Sequence, residues 1–299
     1  MIESPDTILE LSIEKLVTGG RGLARHEGRA VFVPDTVPGD RVRARLRHEG
    51  RGFREADLVE ILTPGPGRRV APCPHHDLCG GCDLQHLDED AQVAARREIL
   101  LDCFRRLAGL DVTGLIEDAQ VDVPTFGYRH RVRLTAHPTG LYGLKQRRSH
   151  EVVPLETCPV MAPPFETTIL PWLRQLPPVD QIVVRLDGRG GWLLSLYGPP
   201  PRMKPLRKIL DAAAAEDALP AGLKGVLLNN RPAWGRGYLV VHVAGHTFRV
   251  SHQSFFQTNL AATEQVLATV REWLDAAQPD GGDVVDLYCG VGLFLLALA

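Results

Sequence analysis

The sequence lacks a long hydrophobic run and an excess of charge of either sign. No apolar stretch in the 299 residues approaches the roughly 20 residues that a membrane-spanning helix needs. The N-terminal MIESPDTILE has acidic residues where a signal peptide has a basic and then an apolar segment. We therefore expect a cytoplasmic protein without a membrane partner.

Charge is balanced, because the sequence contains 34 Lys and Arg residues and 36 Asp and Glu residues. A protein that coats nucleic acid through its overall charge is thereby excluded, and any nucleic-acid surface has to be local. Cysteine is also scarce, since six in a chain of this length is far below the density of a disulfide scaffold. In a reducing compartment, a clustered subset of cysteines points instead to a metal site.

The N-terminal part of the sequence has the pattern of a small all-β domain. Short strand-like runs between residues 8 and 62, separated by glycine and proline turns, predict a small β-barrel over residues 1–66. Pro64–Gly67 alternates proline with glycine and marks a boundary. Residues 88–108 then predict an amphipathic helix that ends at Gly109. Its predicted apolar face consists of Ile99, Leu100, Cys103, Phe104 and Leu107.

The rest of the sequence predicts two further parts. Strand-like runs with one intervening helical stretch predict a mixed α+β domain over residues 67–250. A helix pattern at 259–277, the buried-strand pattern DVVDLY at 283–288 and the apolar LFLLALA predict the beginning of an α/β domain over 251–299. Because such a strand needs neighbours in a parallel sheet, we expect a truncated reading frame or a chain completed by a partner.

Four cysteines form the strongest chemical signal. Cys73, Cys79 and Cys82 have the spacing C-x5-C-x2-C, and Cys158 follows beside a proline. Four thiolates satisfy either a tetrahedral zinc ion or a [4Fe-4S] cluster. Three close cysteines and one remote cysteine favour the cluster, whereas zinc or a set of buried thiols is the alternative.

The other two cysteines have simpler interpretations. Cys103 lies on the apolar stripe of the predicted helix, where it packs as a small hydrophobic residue. Cys289 lies within the glycine-containing segment DLYCGVG, where a side chain points at cofactor or core. A nucleophilic role for Cys289 is therefore disfavoured.

A first basic patch lies in the sequence DRVRARLR. Its arginines alternate with apolar or small residues, so a strand here presents them on one face. A row of guanidinium groups on a small barrel is suited to tracking a phosphate backbone, although an ordinary solvated strand face is the alternative. The arginines are Arg41, Arg43, Arg45 and Arg47.

A second basic patch covers residues 126–150, which contain six basic residues and no acidic residue. Tyrosines are interleaved with these charges, and base stacking combined with phosphate binding suits single-stranded or splayed RNA. The candidate RNA-binding residues here are Tyr128, Arg129, Arg131, Arg147 and Arg148.

The segment Asp286–Gly292 follows a strand pattern and precedes a helix pattern, as nucleoside-binding loops do in doubly wound folds. It contains Gly290 and Gly292 but lacks the third glycine of a dinucleotide fingerprint. A smaller cofactor such as S-adenosylmethionine is therefore favoured over a dinucleotide.

These motifs together resemble the iron-sulfur-containing, S-adenosylmethionine-dependent RNA uracil-C5 methyltransferases, of the type that forms 5-methyluridine in 23S rRNA. The N-terminal runs GRG, VFVP and PGD resemble the RNA-binding TRAM domain, which is a small OB-like barrel. The four cysteines, GYRHR before CP, FRVSHQSFFQ and DLYCGVG match successive motifs of the family. The resemblance covers almost the whole chain.

The resemblance implies a multidomain protein with a TRAM barrel, a central α+β domain and the beginning of a Rossmann-like methyltransferase domain. It implies RNA as partner, with rRNA favoured over tRNA, and a monomer when full length. It also implies a [4Fe-4S] cluster on Cys73, Cys79, Cys82 and Cys158. The residues implied to contact S-adenosyl-L-methionine are Gln257, Asp286, Tyr288, Gly290 and Gly292.

Two departures from the family pattern matter. Leu293 stands where many relatives have a polar residue that can hydrogen-bond the cofactor. The catalytic cysteine and glutamate of the family lie beyond residue 299, so no catalytic residue is assigned and the chain alone is expected to be inactive. The alternatives are an RNA-binding module with a structural four-cysteine metal site and no chemistry, and a zinc-stabilised scaffold.

Overall fold

The computed structural model describes residues 7–116 and 123–298, except for the side chains of residues 201 and 202. The chain divides into two compact units, Met1–Ala119 and Gln120–Ala299. The sequence-based division into 1–66, 67–250 and 251–299 stays a prediction. Within the described ranges, no helix is long and apolar enough to cross a membrane.

The N-terminal strands form a six-stranded sheet, as the runs over residues 8–62 predict. The order is β1-β5-β6-β4-β3-β2, with β4 and β6 parallel and the other neighbours antiparallel. Closure of this sheet into a barrel stays a prediction. The strands are β1 Ile8–Ser12, β2 Lys15–Val17, β3 Arg21–His26, β4 Arg29–Val33, β5 Arg41–Glu49 and β6 Phe53–Thr63.

The core of this sheet consists of the inward side chains of alternating residues. On β5 the burial pattern changes at every residue from Arg41 to Arg47, which is the period of a strand with one solvated face. The fully or nearly buried members of the core are Leu9, Leu11, Ile13, Ala24, Val31, Val33, Val42, Ala44 and Ala56.

The predicted helix after the cysteines is confirmed. Helix α1 spans Glu89–Cys103, and the Asp88 side chain caps it by accepting the Ala91 N–H at 2.8 Å. The helix continues into a π-helical turn, Phe104–Ala108, and ends at Gly109 in the left-handed region at φ 67°. Glycine adopts this conformation without steric cost, which explains the stop.

The predicted apolar face of this helix is only partly right. Ala95 and Leu101 are the buried residues of α1, whereas Leu100 is 45% exposed and Leu107 is 84% exposed. Cys103 is half-buried, and its Sγ lies 3.5 Å from the Thr18 hydroxyl. Helical periodicity defines a stripe, but the strands that meet the helix decide which side of the stripe is covered.

The second unit contains a seven-stranded sheet in the order β13-β12-β11-β10-β7-β8-β9. Helix α3, Pro200–Ala215, connects β11 to its parallel neighbour β12, as a parallel pair requires. The other two helices before α3 are short: a π-helical turn and α2, Leu170–Leu173. The strands are β7 Arg131–Ala136, β8 Tyr142–Lys145, β9 Val152–Pro154, β10 Gln181–Leu186, β11 Trp192–Tyr197, β12 Leu223–Leu228 and β13 Arg231–Gly235.

A hairpin and two helices follow this sheet. Strands β14, Tyr238–Val243, and β15, His246–Ser251, pair with each other. Helix α4, Leu260–Ala277, begins after Asn259, whose side chain accepts the N–H of Ala262 at 3.0 Å, and it confirms the predicted helix. Helix α5 spans Leu293–Leu298 and packs with the hairpin and α4 in one apolar core. This core contains Leu193, Leu227, Leu239, Val241, Val243, Phe248, Val250, Phe256, Leu267, Leu293 and Ala297.

The prediction of a buried strand at residues 283–288 is wrong for this structure. The segment has no strand pairing, and Val285 and Leu287 are each 77% exposed. The physical reason is that an apolar strand is buried only by neighbouring strands and covering helices, and no described residue provides them here. The apolar segment after it does form a helix, and Leu293 is buried.

Candidate functional site

The first basic patch lies on β5 as its alternation predicts. All four arginines are exposed, and the residues between them are buried in the core of the sheet. The four guanidinium groups therefore share the solvent face of one strand. The exposed set is Arg41, Arg43, Arg45 and Arg47, and the buried set is Val42, Ala44 and Leu46.

Two of these arginines are already compensated by carboxylates on the neighbouring strands. Arg43 lies 3.2 Å from Glu10 and 3.0 Å from Glu60. Arg47 donates to Glu55 at 2.6 Å. These carboxylates compete with phosphate for the same N–H donors. Arg43 and Arg47 therefore contribute less positive potential to this face than two unpaired arginines would.

The other two arginines of the row have no such compensation. Arg41 and Arg45 form no ion pair with any residue that the structure describes. In the sheet register Arg41 faces Ser12 and Thr63, whose side chains carry no charge. Arg45 faces Ile8 and Asp57, and the Asp57 carboxylate lies 3.4 Å from Arg47. The uncompensated charges of this face are thus at alternate members of the row.

The second basic patch centres on strand β7. Arg131 and Arg133 point to one face, and Val132 and Leu134 are buried on the other. Burial lowers the pKa of Arg131, and the positive charge of Arg133 lowers it further. Both causes disfavour the charged form of Arg131, with burial as the larger one.

Sequence reasoning missed the most buried cation of this patch. Arg185 on β10 lies directly opposite Arg131 in the antiparallel register and is only 5% exposed. Its Nη2 donates to the Ser254 carbonyl at 2.6 Å, and its Nε is buried without a hydrogen-bond partner. Burial and the nearby Arg131 lower the pKa of Arg185 to about 10, so the group stays charged at neutral pH. The run QIVVRL predicts a buried strand. Because the run is mostly apolar, the sequence analysis did not assign its arginine to a basic patch.

The remaining residues of the second patch lie in turns around the sheet. Arg129 is half-buried, and its backbone N–H donates to the Val160 carbonyl at 2.7 Å. Tyr128 and Arg147 are also half-buried. Arg148 is exposed and adopts a left-handed φ of 53°, which is uncommon for a residue with a β-carbon.

The three close cysteines lie in a segment of the first unit, residues 64–88, that has no helix or extended strand. Cys79 is buried, and its N–H donates to the His75 carbonyl at 2.7 Å. The N–H of Cys73 donates to the Gln85 side chain at 3.2 Å. The segment is therefore held by local turns and side-chain contacts, and its thiols are presented on irregular backbone.

Cys158 lies in the second unit, after β9, and is buried. Its N–H donates to Oε1 of Glu166 at 2.6 Å, and the hydroxyl of Thr157 donates to the same oxygen. All six cysteines of the chain lie in described ranges, and none of them is joined in a disulfide there.

A chain of polar side chains beside the three cysteines also escaped the sequence analysis. His76 Nε2 lies 3.2 Å from His86 Nδ1 and 3.5 Å from the carboxylate of Asp35. His86 Nε2 donates to the Thr36 carbonyl at 3.2 Å. Burial lowers the pKa of His86 to about 4, so this imidazole is neutral. The pattern HH–x9–H was the available signal. The group connects the β4–β5 loop to the cysteine segment.

The predicted cofactor residues lie on two loops of the second unit. Gln257 is exposed and follows the buried Phe256. Tyr288 is fully exposed at φ 66°, and Gly290 and Gly292 have φ values of 58° and 78°. Asp286 is half-buried, and its Oδ2 is an acceptor without a hydrogen-bond partner.

Comparison with known proteins identifies the N-terminal sheet. A family model described as TRAM domain matches residues 7–59. This range begins just before β1 and ends within β6, so it covers most of the six-stranded sheet.

Relatives match the rest of the chain as well. The chain is 33% identical over 326 residues to an uncharacterized RNA methyltransferase of Thermosynechococcus vestitus. This alignment covers 97% of the chain and 70% of that protein. It is 32% identical over 309 residues to the 23S rRNA (uracil(1939)-C(5))-methyltransferase RlmD of Pectobacterium carotovorum, which covers 99% of the chain and 67% of that protein. The chain thus spans about two thirds of the length of these curated relatives.

A solved structure has a similar fold. The tRNA (uracil-54, C5)-methyltransferase of Pyrococcus abyssi, in complex with S-adenosyl-L-homocysteine, superimposes with a TM-score of 0.69. The match covers 97% of this chain and 70% of that structure at 19% identity, which establishes the shared fold. On the sequence identity and coverage of its relatives, the chain belongs to the RNA uracil-C5 methyltransferase family that includes the RlmD enzymes.

Proposed function

We propose that this chain carries the RNA-binding and cofactor-binding residues of an S-adenosylmethionine-dependent uracil-C5 methyltransferase that acts on 23S rRNA. The observation that carries the proposal is the 32% identity to an RlmD enzyme over 99% of the chain. The RNA-binding role of the basic patches and the cofactor role of the two loops agree with it. No residue of this chain is assigned as nucleophile or general base.

The proposed reaction requires the target uridine to leave its stack, because C5 and C6 are otherwise inaccessible. A thiolate adds to C6, C5 then takes the methyl group, and a base removes the C5 proton so that elimination restores the ring. Addition is needed because C5 of uracil alone is a weak nucleophile. The cofactor supplies an electrophilic methyl group on a sulfonium.

The cofactor loops have features that suit this ligand. The orphaned Oδ2 of Asp286 is an acceptor for a hydroxyl or amino group. Gly290 is exposed and lacks a β-carbon, so a ligand can approach the backbone there, whereas Gly292 is buried beside Leu296 and serves the left-handed turn of the loop. The exposed Tyr288 and Gln257 complete the proposed set with a stacking surface and an amide. These residues bind and orient the methyl donor.

We also propose that Cys73, Cys79, Cys82 and Cys158 ligate a [4Fe-4S] cluster. The donor set is four thiols, and soft sulfur ligands suit iron-sulfur clusters or zinc. The N–H groups of Cys73 and Cys158 are oriented by the Gln85 and Glu166 side chains, as the supporting contacts of a ligand commonly are. Methyl transfer needs no electron, so the role proposed for the cluster is to stabilise the fold or to position the RNA.

Equilibrium binding of S-adenosylmethionine tests the cofactor assignment. Gln257→Ala is expected to weaken binding by about tenfold, the loss that removal of one good hydrogen bond produces. Gln253→Ala is the matched control, because Gln253 is an exposed glutamine in the same loop. Equal affinity of both variants would remove Gln257 from the site.

Methyl transfer tests the function itself. Full-length protein is incubated with tritiated S-adenosylmethionine and either 23S rRNA or a tRNA pool. The proposal expects label at C5 of a uridine in 23S rRNA. Label in tRNA alone would overturn the substrate class, and RNA binding without any cofactor binding would favour the module without chemistry.

A further inference from the structure

Two arginines of the second unit face each other without a counter-charge. Arg131 on β7 lies directly opposite Arg185 on β10, because the two residues are paired in the antiparallel register of these strands. Side chains at such a position point to the same face and lie within reach of each other. Like charges directly opposite each other destabilise a sheet.

The protein itself does not neutralise this pair. Neither arginine forms an ion pair with a residue in the described ranges, and the Nη2 bond of Arg185 goes to the neutral Ser254 carbonyl. Its Nε has no hydrogen-bond partner there. A charge that is 5% exposed is costly unless an opposite charge accompanies it. The unmet requirement of this site is an anion.

We propose that Arg131 and Arg185 together bind one phosphodiester group of the RNA, which extends the proposed function to a specific contact. Guanidinium groups present paired N–H donors that match phosphate oxygens, and such bonds are among the strongest in proteins. Arg133, two residues along β7 on the same face, is exposed and donates to Gln181 at 3.3 Å. Positive charge thus extends from solvent to the buried Arg185.

The position of the site in the chain gives it a further role. Arg185 holds the carbonyl of Ser254, which precedes the proposed cofactor contact Gln257 by three residues. Ser254 is itself fixed, since its hydroxyl lies 2.7 Å from that of Ser251. A phosphate bound by Arg185 is therefore connected through one hydrogen bond to the loop that leads to the cofactor residues.

Salt-dependent binding of a fluorescein-labelled, uridine-containing single-stranded RNA tests the site in the full chain. Arg131→Gln and Arg185→Gln are each expected to lower affinity by about tenfold. The affinity for RNA falls as the salt concentration rises, and each substitution makes this dependence less steep. The magnitude of the slope of log K against log salt concentration is expected to decrease by about 0.7, the value for one phosphate contact on a single strand. The double variant loses no more slope than either single variant, because both arginines bind the same phosphate.

The control is Arg207→Gln on α3, an exposed arginine paired with Asp211, which removes the same charge elsewhere. It is expected to leave the slope unchanged. Arg185→Lys keeps the charge but loses the paired donors, so it retains the slope and loses part of the affinity. Should Arg185→Gln fail to fold, the half-buried Arg131 carries the test.

A second measurement needs no RNA. Orthophosphate is expected to raise the Tm of the wild-type protein above that in sodium chloride of equal ionic strength, and to raise the Tm of Arg131→Gln by less. Unchanged RNA slopes in both single variants, or equal phosphate protection of Arg131→Gln, would overturn the site. A loss of S-adenosylmethionine affinity with RNA affinity intact would also overturn it, because the anion would then be the cofactor carboxylate. Phosphate protection without methyl transfer would overturn the proposed function and leave the site standing.

Discussion

Arg47 donates a hydrogen bond from Nη2 to Oε2 of Glu55 at 2.6 Å. Arg45, the preceding outward residue of the same strand, has no ion pair in the described structure. The two arginines look equivalent in the sequence, yet one guanidinium is compensated and the other is available to a ligand. Exposed ion pairs are weak, but they compete directly with a phosphate for the same donors.

This difference predicts unequal effects within the row. Arg45→Gln is expected to weaken RNA binding by about fivefold and to lower the salt slope by about 0.7. Arg43→Gln is expected to change affinity by less than about twofold, because Glu10 and Glu60 already neutralise Arg43. Fluorescence anisotropy over a salt series measures both. Equal losses would show that the carboxylates do not compete.

The buried His86 predicts a loss of stability in mild acid. Its pKa of about 4 in the folded protein lies below the ordinary value of 6.5, so the unfolded chain binds the proton more tightly. Its contribution is complete above pH 6.5 and is lost as the pH falls toward 4, by up to about 3 kcal/mol.

Urea unfolding at several pH values measures this effect. His86→Gln is expected to flatten the decline in the free energy of unfolding between pH 6.5 and 4. His48→Gln is the control, because His48 is exposed on β5. A decline of the same steepness in His86→Gln would assign the acid sensitivity to other groups.

A buried ion pair fastens the end of the N-terminal sheet. Asp40 is fully buried, and its carboxylate binds the Arg68 guanidinium through both oxygens. It also accepts the N–H groups of Val37 and Gly65, each at 2.7 Å. Asp40→Asn leaves Arg68 uncompensated and is expected to cost about 3–5 kcal/mol of unfolding free energy.

Chemical denaturation of Asp40→Asn and of the control Asp57→Asn tests this expectation. Asp57 is exposed on β6, where a substitution is expected to change stability by less than about 0.5 kcal/mol. Combining Asp40→Asn with Arg68→Met should recover part of the loss, since no charge then stays buried alone. A loss as small as that of Asp57→Asn would contradict the assignment.

The proposed cluster predicts which thiols matter. Cys73→Ser, purified anaerobically, is expected to lose iron, acid-labile sulfide and the visible absorption of the wild-type protein. Cys103→Ser is expected to retain all three, because the Cys103 thiol contacts the Thr18 hydroxyl and lies outside the proposed ligand set. Iron and sulfide analysis with absorption spectra decides between the variants. A colourless wild-type protein with stoichiometric zinc would replace the cluster with a zinc site.

Local patterns predicted much of the fold. The alternation of β5, the helix that ends at Gly109 and the helix after Asn259 all depend on residues a few positions apart, and the structure confirms them. Segment 283–288 shows the limit of such patterns. A short apolar run indicates that a strand could be buried. Whether it is buried depends on neighbouring strands and helices that lie elsewhere in the chain.

Charge shows the same division within the candidate sites. The sequence placed Arg131 in a basic patch, because the surrounding segment contains no acidic residue. It did not pair Arg131 with Arg185, which is 54 positions later and lies within an apolar run. The pairing follows from the register of β7 against β10, and registers are decided by the packing of whole strands.

By itself, the sequence determined the strand faces, the helix starts, the cysteine spacing and the membership of an RNA-modifying family. Only the tertiary structure decided which arginines are neutralised, which histidines are buried and where a positive charge lacks a partner. The physical reason is the range of the forces involved. Backbone geometry and capping act between sequence neighbours, whereas desolvation and ion pairing depend on residues that folding brings together.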